Sequence, residues 1–437
     1  MPDILVVGGG PVGLTLAIEL RRRGISVRLI DSAEGPFGGS RGKGIQPRSL
    51  EILDMMGAID DVLADSSLYQ LMKLHIGPLR IKAKSLGTSH AATTDRPYPN
   101  MVMVAQWRTE LALRRRLEEL GGAVEYGVGL ETLTQSSGEV TARLTNGEQV
   151  TAAYLVGCDG GRSPTRKQLG LQLIGSAIDD RTMIVADMEI DGLDRRYWHV
   201  WPRRYGGPVA FAPLPNSNLW QLQASEKIAD AGLENGVYRL TGKRPGKVVW
   251  QSRFRHQARM VERYRVGRVF LAGDAAHIHP PSGAQGLNTG IQDAFNLGWK
   301  LVSALRTGDG GILDTYEAER LPIAAEMLNL TSKLLADGSN KRGELTNQLG
   351  VGYRSSPLSK GGAIGNLFPG DRMPDERLAD GRRLLEVLRT GNAVQILRQD
   401  GRKILVRPDG YVAEVIVPDV TSYFGFDVEH VSPEYSD

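Results

Sequence analysis

The chain opens on an apolar run, Asp3 to Val7, that breaks at Gly8-Gly9-Gly10-Pro11-Val12-Gly13 and resumes with helical spacing from Leu14 to Arg23. Gly24 stops that helix and Val27 to Ile30 is apolar again, so the pattern predicts strand, tight turn, helix, strand. Two further strands, Ala153 to Val156 and Val269 to Ala272, each run into a glycine-bearing turn. After the second turn the spacing of Ile291, Phe295, Leu297, Leu301 and Leu305 predicts a helix from about Asn288. Gln46 to Met56 and the run from Gln106 to Leu120 are helical in pattern, and Val124 to Val150, with Asn146-Gly147 as its turn, reads as an antiparallel ribbon. From Ile174 to His256 the alternation is strand-like: Thr182 to Ile190, Trp198 to Trp201, Val209 to Pro213, Leu219 to Ala224 and Lys247 to Phe254. A helix follows from about Ile312 to Ala336, with a kink expected at Pro322.

This order gives an α/β fold class: a Rossmann-like dinucleotide-binding domain interleaved with an antiparallel-sheet substrate domain. The expected limits are 1-173 for the first domain, with an excursion into the second at about 68-105, then 174-256 for the sheet. The first domain continues over 257-360, and 361-437 forms a C-terminal region.

Composition narrows the class. At 437 residues and 41% apolar content the chain can bury several cores without staples. Its net charge of +3 is too small to argue for nucleic acid or a membrane surface. Arg21 to Arg23 and Arg114 to Arg116 are expected on solvated helix faces. One cysteine, Cys158, excludes an internal disulfide, is expected to be a buried residue and no nucleophile, and fits a reducing cytoplasm. No signal peptide or membrane span is expected, and no metal, because His199, His277 and His279 lack a supporting carboxylate or cysteine pattern.

The glycines carry the chemistry. Gly8, Gly10 and Gly13 form GxGxxG between a strand and a helix, with Asp31 closing the next strand where an acid pairs with ribose hydroxyls. Asp274 ends another strand and can accept from a sugar or ribityl hydroxyl. Pro280 and Pro281 stiffen the turn beyond it, while Gly283, Ala284 and Gly286 leave room for something flat. The following helix aims its N-terminus at that loop, which suits the N1/O2 edge of a reduced isoalloxazine. Arg41 lies in the glycine-rich loop Gly38 to Gly44, whose composition implies mobility or close backbone approach. Gln106, Arg108, Asp159 and Arg166 sit beside helix starts, where cofactor contact competes with capping or pairing. Trp198, Trp201, Phe211 and Trp220 are candidates for a flat apolar pocket, against the alternative of core packing.

Three motifs in order resemble the signatures of the class A, para-hydroxybenzoate-hydroxylase-like flavoprotein monooxygenases. They are Gly8-x-Gly10-x-x-Gly13, Asp159-Gly160-x-x-Ser163-x-x-Arg166, and Gly273-Asp274 followed by Pro280-Pro281-x-Gly283-x-x-Gly286-x-Asn288. Ala105 to Glu110, Asp293 to Leu301 and Tyr316 to Arg320 resemble the branch that hydroxylates phenols and aromatic polyketides. The resemblance implies FAD as cofactor, held at Gly8, Gly10, Pro11, Val12 and Gly13 (pyrophosphate), Asp31 (ribose) and Asp274 (ribityl chain). Gly273 and the stretch Pro281, Gly283, Ala284, Gly286, Leu287 and Asn288 would cradle the ring, with Arg41, Gln106, Arg108, Asp159 and Arg166 as further contacts. It also implies hydroxylation of an aromatic small molecule by NADPH or NADH and O2 through a flavin C4a-hydroperoxide, with Arg41, Pro280 and Pro281 flanking the reacting ring. A second GxGxxG after a strand is absent, so the nicotinamide cofactor is expected to visit transiently. The expected protein is a monomer or homodimer that serves antibiotic biosynthesis or the inactivation of an aromatic drug.

Gly370 to Pro374 and Ile404 to Ala413 resemble the start and end of the thioredoxin-like domain of many relatives, with the middle shortened. Baeyer–Villiger oxygenation, a flavin halogenase or reductase, and a non-catalytic flavoprotein binder are the alternatives. Trp198-x-x-Trp201-Pro202 departs from the halogenase tryptophan motif.

Overall fold

The computed structural model describes residues 2–83, 89–337, 344–415 and 420–434. Its first layer is a six-stranded sheet in the order Arg265–Val266, Val269–Leu271, Tyr154–Gly157, Ile4–Val7, Val27–Asp31, Val124–Tyr126. All neighbours are parallel except the first pair. Parallel strands need crossovers, and the chain supplies them through the helices Pro11–Arg21 and Gln106–Glu119 and through long excursions into other sheets. The helix Gly286–Thr307 crosses the helix Pro11–Arg21 closely, since a Cβ on Gly298 would lie 2.7 Å from Glu19 Cβ.

The second layer is an eight-stranded sheet in the order His277–Ile278, Pro245–Met260, Ile174–Ile190, Leu219–Ser225, Gly207–Pro213, Tyr197–Arg204, Leu71–Ile76, Leu79–Ala83. Its longest pair, Pro245–Met260 with Ile174–Ile190, is longer than the apolar alternation predicts, because Arg255 to Met260 keep pairing with Ile174 to Thr182 across a register shift. Stretch 68-105 contributes the edge hairpin, which joins in parallel through Leu71 opposite Tyr197.

A five-stranded mixed sheet completes the chain, with Ala393–Leu397 central and parallel to Phe426–Val431. It shares the main core: Val394, Ile404, Val406 and Phe426 belong to the same buried cluster as Leu16 and Trp299. Buried charges fasten it. Glu319 accepts from Arg407 Nη1 at 2.7 Å and from Lys300 Nζ at 2.7 Å, with all three side chains sealed from water. Arg22 and Arg23 depart from the expected solvated face. Arg22 donates to the carbonyls of Leu388 (3.3 Å) and Arg389 (3.1 Å), and Arg23 to that of Gly391 (3.1 Å). Their long side chains satisfy carbonyls at the end of the short helix Leu384–Leu388, which sequence spacing cannot reveal. The helix Asp314–Ala336 contains Pro322. No described helix is long and apolar enough to cross a membrane.

Candidate active site

Between the carboxyl edge of the parallel sheet and one face of the eight-stranded sheet lies a cavity of 1020 Å³. At its first end the three glycines of the opening turn have separate tasks. Gly8 adopts φ +110°, and a Cβ there would sit 2.4 Å from the Cys158 carbonyl oxygen; one on Gly13 would sit 1.9 Å from the Gly8 oxygen. A Cβ on Gly10 would meet nothing within 4 Å, because that position borders the cavity. The helix Pro11–Arg21 has no side-chain cap, so its first-turn N–H groups beside Gly10 are left for a ligand. Asp31 is held by the N–H groups of Gly9 (2.7 Å) and Ala33 (2.8 Å).

Glu110 lines the same end and was not foreseen as a site residue. It accepts from Gln106 Nε2 at 2.9 Å, and burial pushes its carboxyl up to about 7. The available signal was a carboxylate one helical turn beyond Gln106. Asp159 also lines the cavity, but it does not pair with Arg166. Its oxygens accept from the Ser163 hydroxyl, the Thr165 N–H (2.9 Å) and the Thr165 hydroxyl (2.7 Å), which caps the helix Pro164–Gln168. Arg166 points away and donates to the carbonyls of Ala275 (3.0 Å) and Gly161 (2.8 Å). Buried Cys158 also borders the cavity, and burial pushes its thiol well up.

In the middle of the cavity Asp274 follows the strand Val269–Leu271 and faces the space with Pro280, Pro281, Gly283, Ala284, Gly286 and Leu287. Enclosure raises its carboxyl above the ordinary range, with His277 and Arg41 pulling the other way. Ala284 holds φ +55°, a left-handed conformation that costs a side chain about 1 kcal/mol or more. Asn288 fixes the loop opposite without reaching the cavity: its Oδ1 accepts from Gln46 N–H (2.8 Å) and its Nδ2 donates to the Gly44 carbonyl (2.9 Å). The glycine-rich loop resolves as close approach, since a Cβ on Gly39 would overlap the Trp250 ring at 2.2 Å.

Behind Asp274, buried Asp293 accepts from Arg320 Nε at 2.8 Å and contacts His277 Nε2 at 2.6 Å, and His277 Nδ1 meets His279 Nε2 at 3.0 Å. Burial opposes ionisation of Asp293, but His277 and Arg320 outweigh it and hold the carboxyl low. His199 pairs instead with His75, Nδ1 to Nε2, at 2.9 Å.

The sheet forms the far wall, and strand alternation decides which side chains serve it. Trp198 and Val200, Pro208 and Ala210, Gln223 and Ser225, and Arg181 and Met183 line the cavity. Trp201, Phe211 and Trp220 have the opposite orientation and fill the core on the other face with Leu222 and Val237, so of the four pocket aromatics the structure keeps Trp198 alone. Its ring packs at a tilt of 32° against Tyr69, centroids 4.6 Å apart, and its Nε1 donates to Gln70 Oε1 at 3.0 Å. Arg108 is likewise elsewhere. It pairs with Asp65 and donates to the Asn216 carbonyl at 2.7 Å, because it projects from the helix on the side away from Gln106 and Glu110. Gly13 and Gly273 shape the turns without bordering the space.

Known proteins share this construction. The FAD binding domain family matches residues 1–331. A flavin-dependent monooxygenase of Mycobacteroides abscessus is 37% identical over 94% of this chain and 96% of its own. The 6-methylpretetramide 4-monooxygenase of Streptomyces rimosus is 39% identical over 76% of this chain and 61% of its own. The solved structure of OxyS anhydrotetracycline hydroxylase from Streptomyces rimosus superimposes with a TM-score of 0.77 at 29% identity, covering 98% of this chain and 99% of that one. The glycine turn, the uncapped helix amides and the strand-end carboxylates have the donor set and the room that FAD requires, and the chain belongs to the FAD-dependent class A aromatic monooxygenases, which use a nicotinamide cofactor and O2.

Proposed function

We propose that this enzyme hydroxylates a phenolic, polycyclic aromatic compound of the polyketide kind, bound between the Pro281 to Leu287 turn and the sheet face that carries Met72, Met183 and Trp198. The observation that carries this reading is one continuous cavity whose first end suits a dinucleotide and whose far wall is a sheet face carrying Trp198, Val200, Ala210 and Met183. Relatives support the ring system: the name of one refers to 6-methylpretetramide, those of two others to anhydrotetracycline, and that of another to rifampicin. Antibiotic biosynthesis and drug inactivation both fit.

In this reading the backbone at Gly10 and the amide of Val12 hold the pyrophosphate, with Gly13 shaping the turn behind them, Asp31 and Glu110 hold the adenosine ribose, and Asp274 the ribityl chain. Gly283 to Leu287 cradle the ring system and Arg41 and Gln106 approach it from the opposite loop. Asn288, Arg166 and Gly273 act at one remove by fixing those segments. The chemistry FAD supplies when bound is two-electron reduction by NADPH or NADH and activation of O2. The chain's own contribution is enclosure and orientation: Met72, Met101, Met103, Met183, Trp198 and Leu334 form an apolar lining that keeps water from the reacting centre.

The domain limits 1-173, 174-256, 257-360 and 361-437 are supported by the division of most strands among the three large sheets, but Pro245–Met260 runs past 256 and His277–Ile278 joins the eight-stranded sheet from within 257-360. The C-terminal region reads as a shortened thioredoxin-like module, supported by its mixed sheet and by one short helix among the described residues. A cytoplasmic monomer or homodimer fits the single cysteine and the nicotinamide requirement.

The test is anaerobic stopped-flow bleaching of the bound flavin by NADPH, and then by NADH, with a panel of hydroxylated anthraquinones and naphthacenes. Acceleration of about tenfold or more by a panel member supports the reading. Fast bleaching with no aromatic effect points to a reductase or oxidase and contradicts it.

A further inference from the structure

The charges around the cavity are segregated. All four acidic lining residues, Asp31, Glu110, Asp159 and Asp274, come from the segments of the parallel sheet and its adjoining helix. All three basic ones, Arg41, Lys43 and Arg181, come from the 41–43 loop and the eight-stranded sheet, with His256 beside them. The ligand at the sheet end therefore meets positive potential within an apolar wall.

Lys43 differs from its two basic neighbours. Arg41 and Arg181 are exposed, whereas Lys43 is 8% exposed, with its ammonium 4.8 Å from the Trp198 ring centre and donating to Gln221 Oε1. Gln221 is oriented in turn: its Nε2 donates to the Ser40 carbonyl, and Gln223 Nε2 donates to its Oε1 at 2.8 Å. Beneath this group lies Asp187, fully buried, with Lys43 and the hydroxyl and N–H of Ser40 as the groups that favour its charged form. A buried carboxylate is costly and is tolerated here opposite the Lys43 charge, with Ser40 beside it. Burial pushes Asp187 up to about 6 against the pull of Lys43, so it is a weak counter-charge.

We propose that Lys43 is a substrate-binding residue that receives the acidic hydroxyl of the aromatic substrate as its phenolate, with Gln221 and Asp187 as the residues that position the ammonium and set its strength. This deepens the reading of the site given above and rests on it. The only bond that breaks is the substrate O–H, whose proton leaves to water as the substrate binds; the electron pair stays on oxygen. The ring so ionised is the electron-rich one, so Lys43 selects which ring of a polyhydroxylated compound is presented for oxygenation. A cation within about 4–6 Å favours an anion by about one to three pKa units.

The probe is alizarin, a dihydroxyanthraquinone whose absorbance moves to longer wavelength on ionisation, titrated against pH on the FAD-loaded protein. The wild type is expected to bind the dye with its apparent pKa lowered by ~1–3 units. Lys43→Met returns the pKa to that of free dye or above, with FAD content unchanged, and Lys43→Arg keeps it low. Asp187→Asn shifts it further down, because removal of the counter-charge strengthens the cation; a purely structural role for this pair gives no such opposite sign. If Lys43→Met loses its flavin, the Lys43→Arg and Asp187→Asn results decide. Bound dye that ionises at the same pH in wild type, Lys43→Met and Asp187→Asn overturns the proposal and leaves the aromatic site standing. Failure of the wild type to bind the dye at all, together with no acceleration across the panel above, contradicts the aromatic-site reading itself.

Discussion

At the nucleotide end of the cavity, shape is set by backbone: Gly8 and Gly13 leave no room for a Cβ, and the donors are the amides of a helix start. At the sheet end it is set by side chains, with Trp198, Met183 and Lys43 facing in and Trp201, Phe211 and Trp220 facing out. The first kind of site tolerates almost no change at its glycines. The second can alter its ligand by exchanging one side chain while the strands stay paired. A family with one cofactor and many aromatic substrates is served by that division.

The steepest way to break this comparison lies at the glycine turn. Gly13→Ala places a Cβ 1.9 Å from a carbonyl oxygen, so the backbone must move. The expected loss exceeds about 4 kcal/mol, read as colourless and unstable protein. Gly10→Ala has open space, so the FAD-free protein should melt as the wild type does, while FAD titration shows at least about tenfold weaker binding. Equal melting losses for both variants would show that Gly10 is structural and not a ligand contact.

A second pair tests the strand alternation. Trp201→Ala empties a core position 6% exposed and should cost about 3–5 kcal/mol by denaturant unfolding. Trp198→Ala should stay within about 1 kcal/mol of wild type in stability and weaken aromatic ligand binding about tenfold in the flavin-bleaching assay. Reversal of these two phenotypes would mean that the wall has been assigned to the wrong face.

The smallest effect concerns Glu110. Its carboxyl sits near 7 in the fold against about 4.5 unfolded, so between those pH values the native state binds the extra proton and stability falls as pH rises. Glu110→Gln removes that loss. Its advantage in FAD-free protein should grow from about pH 4.5, level off above pH 7 and reach ~1–3 kcal/mol, read as denaturant midpoints across pH. An advantage independent of pH would show that the carboxyl is not held neutral by burial.

The nucleotide end was legible because the chemistry there demands residue types that stand out: three glycines between a strand and a helix, Asp31 and Asp274 at strand ends, two prolines before a small-residue turn. The sheet end was not, because the side a tryptophan takes depends on a register that no local pattern states. Trp198 and Trp201 differ by three positions in one strand, which suffices to send them to opposite faces. Arg22, Arg23 and Arg108 were misplaced for a related reason. An arginine can reach carbonyls or carboxylates far away in sequence, such as those of Arg389 and Asn216, and a helix face seen alone looks solvated. Lys43 and Asp187 come together through the pairing of the long strands of the eight-stranded sheet and the packing of the 41–43 loop upon them.

The measurement that bears most directly on this account is isotopic. The FAD-loaded enzyme, NADPH and the aromatic compound that most accelerates flavin bleaching are incubated under 18O2, and the product is analysed by mass spectrometry. The account predicts a hydroxylated ring that carries one labelled oxygen atom per hydroxylation, with nicotinamide consumed in step. An unlabelled aromatic recovered unchanged while all the oxygen appears as hydrogen peroxide would contradict it.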